Sequence, residues 1–561
     1  MLRRPLAGFA VALTFGTAVW WSQLGADEPP TSSPTTSLPT AGSSSTGSST
    51  SSTTSVVAGE APTAAADAAL KTAIDAIVDV AEFKHSHWGL LAIDLSSGRT
   101  LYERNADKLF APASVTKLFS VAAALDELGA DHVFSTPVYA RGELDESGVL
   151  DGDLILVASG DPTLGGRDDG AGGLAFKDTD HTYAGFSSNA ELVAADPLAG
   201  LNKLARQVAD SGVTQVLGDI LIDDRLFGPA NGSGSGPQRL TPIVVNDNVL
   251  DFTITPAEVG KEATVSCRPT TSAFTIDAIV ETGPPDSPPR ITIDEPLVGT
   301  ITVRGTIPAA HRPLVLIHPV DRPASFARSL FIEALRRAEI RVAASPLVEN
   351  TLEKLPPRGG YGAMKQAAEF KSPKFSEEAR LILKVSHNLH AGMMPLLIGS
   401  RHDKRTMPDA LKHERDVLAR LGVSVDAVSF AGGAGGDRAD YVTPRAAVEL
   451  LTAMSRHKSY ADYLAALPVL GIDGTLASAV SKESPAAGKV RAKTGTLLWT
   501  NHLDGRPLLQ SKALAGYAET KGGKTVAFAL FVNLVQLKEP GDRERIGRVL
   551  GAICEKLHAI Q

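Results

Sequence analysis

A hydroxyl and a primary amine stand three residues apart in Ala111-Pro112-Ala113-Ser114-Val115-Thr116-Lys117-Leu118-Phe119, where a proline-broken loop runs into an apolar helix. Residues at i and i+3 share a helix face, so Lys117 is placed to take the proton of Ser114. The serine also falls near the positive end of the helix dipole, where a developing oxyanion is favoured. The competing reading is a capping serine followed by a solvated lysine. It fits poorly, because a cation in the first turn opposes the dipole. The run after it, Leu118-Phe119-Ser120-Val121-Ala122-Ala123-Ala124-Leu125, is apolar enough for a core helix. A lysine buried there needs a reason, and catalysis is a common one.

Two further triplets carry the groups such a pair needs, Ser386-His387-Asn388 and Lys493-Thr494-Gly495. With Ser114-x-x-Lys117 they form the S-x-x-K, S-x-N and K-T-G set, with His387 where class A β-lactamases place an aspartate. Singly each pattern is weak. Ser455-Arg456-His457-Lys458 is a second S-x-x-K, but it comes late and in a polar cluster. Ser187-Ser188-Asn189 is a second S-x-N, in a loop-rich stretch. Lys-Thr-Gly occurs once, in a segment read as a strand over 488–497, with Gly495 where a close backbone approach is needed.

The elements that must position these groups follow from periodicity. Leu70, Ile74, Ile77, Val78 and Ala81 predict a helix over 65–83, and Ser96-Ser97-Gly98 a hairpin between Trp88–Asp94 and Thr100–Glu103. From 138 to 370 the texture is short strands punctuated by Gly and Pro, such as 152–157, 216–223 and 263–266, read as one or two inserted β-rich domains. The pieces 165–173 and 231–236 read as exposed loops, and a helix over 326–342 closes the insertion. Gly522-Gly523 joins strands 513–520 and 525–534, and Ile546, Val549, Leu550, Ile553 and Leu557 mark a terminal helix. The two ends, 62–137 and 371–561, thus supply one mixed domain in which the middle is a guest.

At 561 residues the chain is long enough for two to four domains, and a net charge of -8 without a basic stripe argues against nucleic acid. Arg3 and Arg4 precede an apolar run from Pro5 to Leu24, so 1–26 reads as an export signal or a membrane anchor. A stretch of about 20 residues would span a bilayer once. No cysteine follows it, which excludes a lipoprotein anchor, and the Ser/Thr-rich tract 27–61 reads as a disordered tether. Cys267 and Cys554 form no metal cluster, and their pairing is left open. His85/His87 and His387/His390 lack completing carboxylates or cysteines in sequence, so surface or packed histidines are favoured over metal ligands, and His387 reads as incidental.

These motifs resemble the D-alanyl-D-alanine carboxypeptidase/endopeptidase family of low-molecular-mass penicillin-binding proteins, in its insertion-bearing, type-4-like branch. Further matching pieces are Pro112-Ala113-Ser114, Leu128-Gly129-Ala130, Gly160-Asp161-Pro162-Thr163, Gly218-Asp219, Leu221-Ile222-Asp223-Asp224, Gly471-Ile472-Asp473-Gly474-Thr475-Leu476, Leu514-Ala515-Gly516-Tyr517 and Val532-Asn533. The resemblance covers 85–555, and the 272 residues separating Ser114 from Ser386 suit that branch rather than compact carboxypeptidases or β-lactamases.

The resemblance implies an α+β, penicillin-binding transpeptidase-like domain, an antiparallel sheet with helices on both faces, carrying inserted β-rich domains. It implies an exported serine DD-peptidase, carboxypeptidase or endopeptidase, of the periplasmic or cell-wall space. Such an enzyme acts on peptidoglycan stem peptides through an acyl-enzyme, is acylated by β-lactams and uses no cofactor or metal. Ser114 would be the nucleophile, Lys117 its base, lowered in pKa by burial and by Lys493, with Ser386 the proton relay and Asn388 the holder of Lys117 and the substrate amide. Lys493, Thr494, Gly495 and Thr496 would bind the terminal carboxylate, and Arg438 and Asp223 would read the stem peptide. Two departures border the cleft: Gly432-Gly433-Ala434-Gly435-Gly436-Asp437-Arg438 lacks the family's acid and serine, and the connection 497–510 is longer than usual. The alternatives are a β-lactamase or esterase on the same fold, and a non-catalytic wall-binding or β-lactam-sensing protein.

Overall fold

The strand Thr525–Gln536 divides its side chains between two apolar cores. Ala527, Ala529 and Phe531 join one, whereas Val526, Phe528, Leu530 and Val532 join the other. Because both faces are covered, the strand reads as continuously apolar rather than alternating. It is the centre of an antiparallel five-stranded sheet in the order Val490–Thr500, Pro507–Glu519, Thr525–Gln536, His87–Asp94, Thr100–Arg104. The computed structural model describes residues 60–561. The expected signal or anchor at 1–26 and nearly all of the tether at 27–61 lie outside them, and among the described residues no helix is long and apolar enough to cross a membrane.

One face of the sheet carries Thr116–Glu127, Phe375–Val385, Asn388–Ser400, Met407–Arg420 and Pro444–Met454, which share a single core. Every residue from Thr116 to Leu125 is buried, so this helix runs through the core rather than along its edge. The other face is covered by Glu60–Val78 and Asp542–His558. The first of these starts and stops earlier than the predicted 65–83, because the chain turns at Asp79 and forms a separate short turn at Ala81–Phe83.

The middle of the chain leaves on Val133–Leu144 and returns on Lys365–Lys374, two strands that pair with each other, Val133 opposite Lys374. They belong to a mixed six-stranded sheet packed against the helices Ala199–Asp210 and Pro323–Arg337. Two three-stranded sheets lie between. This region is therefore not built of strands alone. Leu201, Leu204, Ala205 and Val208 carry a helical spacing that the surrounding Gly/Pro texture masks. The predicted strand over 216–223 is two strands, Gln215–Val216 and Ile220–Asp223, because Asp219 turns its N–H to the Asp153 carboxylate at 2.6 Å and breaks the ladder. The closing helix runs Pro323–Arg337, beginning at a proline whose missing N–H costs nothing at a first turn.

Phe531 is fully buried and stacks on Phe110, with ring centroids 6.0 Å apart, just before the Ser114 turn. Phe531→Ala should therefore lower unfolding free energy by about 3–5 kcal/mol. Urea denaturation checks this, and a loss below about 1 kcal/mol would show that the sheet is not clamped between two cores.

Candidate active site

Ser114 lies in the short turn Ala113–Val115 that opens the Thr116–Glu127 helix. The residues before it are pinned to the sheet: the Ala111 N–H donates to Asn533 Oδ1 at 2.8 Å, and the Ala111 carbonyl accepts from Ser511 Oγ at 2.6 Å. On the first helical turn Lys117 is 0% exposed. Its Nζ lies 2.8 Å from Ser114 Oγ, 2.7 Å from Asn388 Oδ1 and 2.7 Å from the Ala434 carbonyl. An ammonium can donate to all three. A neutral amine donates to Asn388 and Ala434, which can only accept there, and turns its lone pair to the Ser114 hydroxyl. Burial pushes Lys117 down to about 7, against the pull of the Asp440 carboxylate.

The second motif sits at a junction between helices. Phe375–Val385 ends at Ser386, whose φ of 65° is left-handed, and His387 caps Asn388–Ser400. A non-glycine residue in that conformation costs roughly 1–2 kcal/mol, so the turn must be held. Tyr183 Oη donates to the Ser386 carbonyl at 2.5 Å, and Asn388 Nδ2 donates to Ser235 Oγ at 2.9 Å. Both partners come from the inserted region, and no spacing in the sequence marks them. Ser235 belongs to the stretch read as an exposed loop; instead its neighbour Ser233 accepts from the Gly436 N–H at 3.0 Å, so the loop lies against the site.

The third motif is on Val490–Thr500, the edge strand. At Gly495 a Cβ would stand 2.4 Å from the Pro112 carbonyl, so only glycine lets this strand approach the Ser114 turn. Lys493 is fully buried and its Nζ donates to the Thr494 carbonyl at 2.9 Å. Burial first, then the charges of Lys117 and Lys512, hold it well below the ordinary lysine range. The repulsion expected to act on Lys117 thus falls on Lys493. Lys117, by contrast, is lowered by burial.

The loop 431–440 supplies the Ala434 carbonyl. Asp440 shapes it, accepting from the N–H groups of Ala431 at 2.9 Å and Asp437 at 2.8 Å. Arg438 stands at the rim with its guanidinium 5.8 Å from the centre of the Trp499 ring. The long connection is a hairpin prolonged beyond the cleft, with Leu503 at its tip 93% exposed. Asp223 ends the strand Ile220–Asp223 of the inserted region. Its oxygens are engaged by Arg225 at 2.8 Å and by Tyr361 within the inserted region, which leaves none for a ligand.

His387 is not incidental. It stacks on His390 at 3.7 Å in a buried network with Arg167, Asp180, His181 and Asp247. Asp247 accepts from Arg167 at 2.6 Å and lies 2.7 Å from both His181 and His390. His181 is raised to about 10 against the cost of burial by Asp251 and Asp180, and His390 to about 9 by Glu378 and Asp247. Burial and His390 push His387 down to about 4. Two groups of three here, Asp247/His387/His390 and Asp180/His181/Asp247, have the proximity of metal ligands. The Arg167 guanidinium already fills the place of a cation between Asp180 and Asp247.

The D-Ala-D-Ala carboxypeptidase 3 (S13) family matches the chain over residues 70–551. The chain belongs to that family. A D-alanyl-D-alanine carboxypeptidase of Actinomadura sp. (strain R39) is 30% identical over 462 residues, 78% of either chain. The D-alanyl-D-alanine carboxypeptidase DacB of Haemophilus influenzae is 22% identical over 469 residues, 80% of this chain and 85% of that one. The fold is that of penicillin binding protein 4 from H. influenzae, whose crystal structure superposes with a TM-score of 0.64 at 17% identity, covering 86% of this chain and 99% of the other. Another structure of that protein is a complex with a β-lactam. The family makes this chain a serine-type carboxypeptidase acting on peptidoglycan, which favours that reading over the β-lactamase and sensor alternatives.

Glu414, 2% exposed, is raised to about 8 by burial and by the Asp440 charge. Its folded pKa lies above the unfolded one, so its stabilising contribution is full below the unfolded carboxyl range and declines as pH climbs towards 8. The decline is about 1.4 kcal/mol per pH unit. Glu414→Gln should therefore gain most over the parent at pH 8 and little at pH 5 in thermal unfolding. Equal gains at both would contradict the shift.

Proposed function

We propose that this protein is an exported serine DD-peptidase that opens D-Ala-D-Ala ends or D-Ala crosslinks of peptidoglycan stem peptides through an acyl-enzyme. The observation that carries the reading is the buried Lys117 amine shared between Ser114 Oγ and Asn388 Oδ1. Lys117 at about 7 is neutral in a large fraction of molecules at physiological pH, which suits a general base. Its lone pair takes the Ser114 proton as Oγ bonds to the carbonyl carbon of the penultimate D-alanine.

The tetrahedral oxyanion is received by the N–H groups of Ser114 and Thr496, a device worth roughly 2.7–4 kcal/mol per donor. The C–N bond then breaks, and the proton passes from Lys117 through Ser386 Oγ to the leaving nitrogen. Free D-alanine departs and Ser114 is left as an ester. Water, or the amine of a second stem, attacks that ester and restores the hydroxyl. Asn388 holds Lys117 with Oδ1 and the substrate carbonyl with its amide. Lys493, Thr494, Gly495 and Thr496 form the edge along which the terminal carboxylate lies, and Arg438 beside Trp499 meets the stem side chain.

A β-lactam acylates Ser114 in the same way, but its leaving nitrogen stays tethered and the ester persists. The β-lactam complex of the H. influenzae protein supports this reading. Export is supported by Arg3-Arg4 and the apolar run to Leu24, since the substrate lies outside the cytoplasm.

Purified protein should release D-alanine from a peptide ending in D-Ala-D-Ala and take up a fluorescent penicillin. Ser114→Ala should lower the first by about 10⁴-fold or more and abolish the second. Labelling that survives the substitution refutes the nucleophile.

A further inference from the structure

The strand Pro507–Glu519 places Lys512 opposite Thr496 of the edge strand. Lys512 shares a face with Leu514, on the side covered by Asp542–His558, as Thr496 does. Its stem crosses that helix at Gly547, where a Cβ would stand 3.3 Å from Lys512 Cε, so the small residue leaves the channel open. The Nζ reaches Thr496 Oγ1 at 2.9 Å. An ammonium only donates, so Thr496 Oγ1 is the acceptor and its own hydrogen is left for a group in the cleft.

Two features separate this amine from Lys493. Lys493 is 0% exposed and spends a hydrogen on the Thr494 carbonyl, and burial with the charges of Lys117 and Lys512 holds it well below the ordinary lysine range. It presents no surface of its own to a ligand. Lys512 is partly exposed and has hydrogens beyond the one given to Thr496. Among the described residues no carboxylate lies within ion-pair distance of it. Glu544, the acid facing it from the C-terminal helix, is paired with Arg543 at 2.9 Å. Burial pushes Lys512 down to about 8 while Glu544 opposes, so it stays mostly charged at neutral pH.

We propose that Lys512 is a substrate-binding residue, the cation that reads the C-terminal carboxylate of the peptide jointly with the Thr496 hydroxyl. This rests on the peptidase reading above and adds a source of preference for a free terminal carboxylate. A free terminal carboxylate meets one full charge and one oriented hydroxyl, whereas an esterified or extended terminus leaves the ammonium without an anionic partner.

The test uses the full enzyme, a peptide ending in D-Ala-D-Ala and the C-terminal methyl ester of the same peptide. The reading is the ratio of kcat/KM for acid over ester. Lys512→Met should lower that ratio by about 10- to 100-fold, mainly through KM for the acid, and Lys512→Arg should restore most of it. A ratio unchanged in Lys512→Met, or lowered equally in both variants, overturns the proposal. The variant pair also separates charge from packing, because Lys512→Arg keeps the charge while altering the fit at Gly547. Failure of the peptidase reading itself would show differently, as a parent enzyme that releases neither D-alanine from the acid nor D-alanine methyl ester from the ester.

Discussion

An amine with no exposed surface keeps either three hydrogens or two, and its neighbours decide which. Around Lys117 stand a carbonyl and an amide oxygen that can only accept, and one hydroxyl that can do either. That set satisfies both protonation states without moving a heavy atom. The cost of burying the charge tips the balance towards the neutral form, and the Asp440 carboxylate keeps it from tipping entirely. A base poised in this way needs a fixed first helical turn, a fixed Asn388 and a fixed Ala434 carbonyl. Much of the surrounding fold supplies these three.

Each comes from a different layer. The helix Thr116–Glu127 is locked because its whole circumference is buried. Asn388 is held at a strained helix junction by Tyr183 and Ser235, which belong to the inserted region. Ala434 is held by a loop tied through Asp440 and touched by Ser233. The inserted region is thus part of the active-site wall as well as a guest in the fold. The buried network joining Arg167, Asp180, His181 and Asp247 to His387 and His390 fastens it directly behind the second motif.

What could be read from the sequence was whatever is local or strongly periodic. Ser114 and Lys117 are one helical turn apart, Gly495 sits where two backbones meet, and Gly522-Gly523 joins two strands as a hairpin. Helix ends were displaced by several residues because caps depend on where the chain turns, as at Asp79. The helix Ala199–Asp210 was hidden by Gly/Pro-rich neighbours although its own spacing is regular. Tyr183 and Ser235 were not legible at all, since each acts across the fold on a residue far from it in sequence, and Lys512 was missed because its meaning comes from the register that sets it opposite Thr496. The setting of His387 was missed because Asp247 reaches it from the inserted region, and that of Asp223 because Tyr361 reaches it from far along the chain, contacts that no short pattern encodes.

The most direct measurement is the titration of Lys117 itself. In protein labelled with ¹³C at lysine Cε, the signal absent from a Lys117→Met sample can be followed against pH. A midpoint near 7 is expected, as burial among these partners requires. A midpoint at 10 or above, the range of an ordinary solvated lysine, would contradict it.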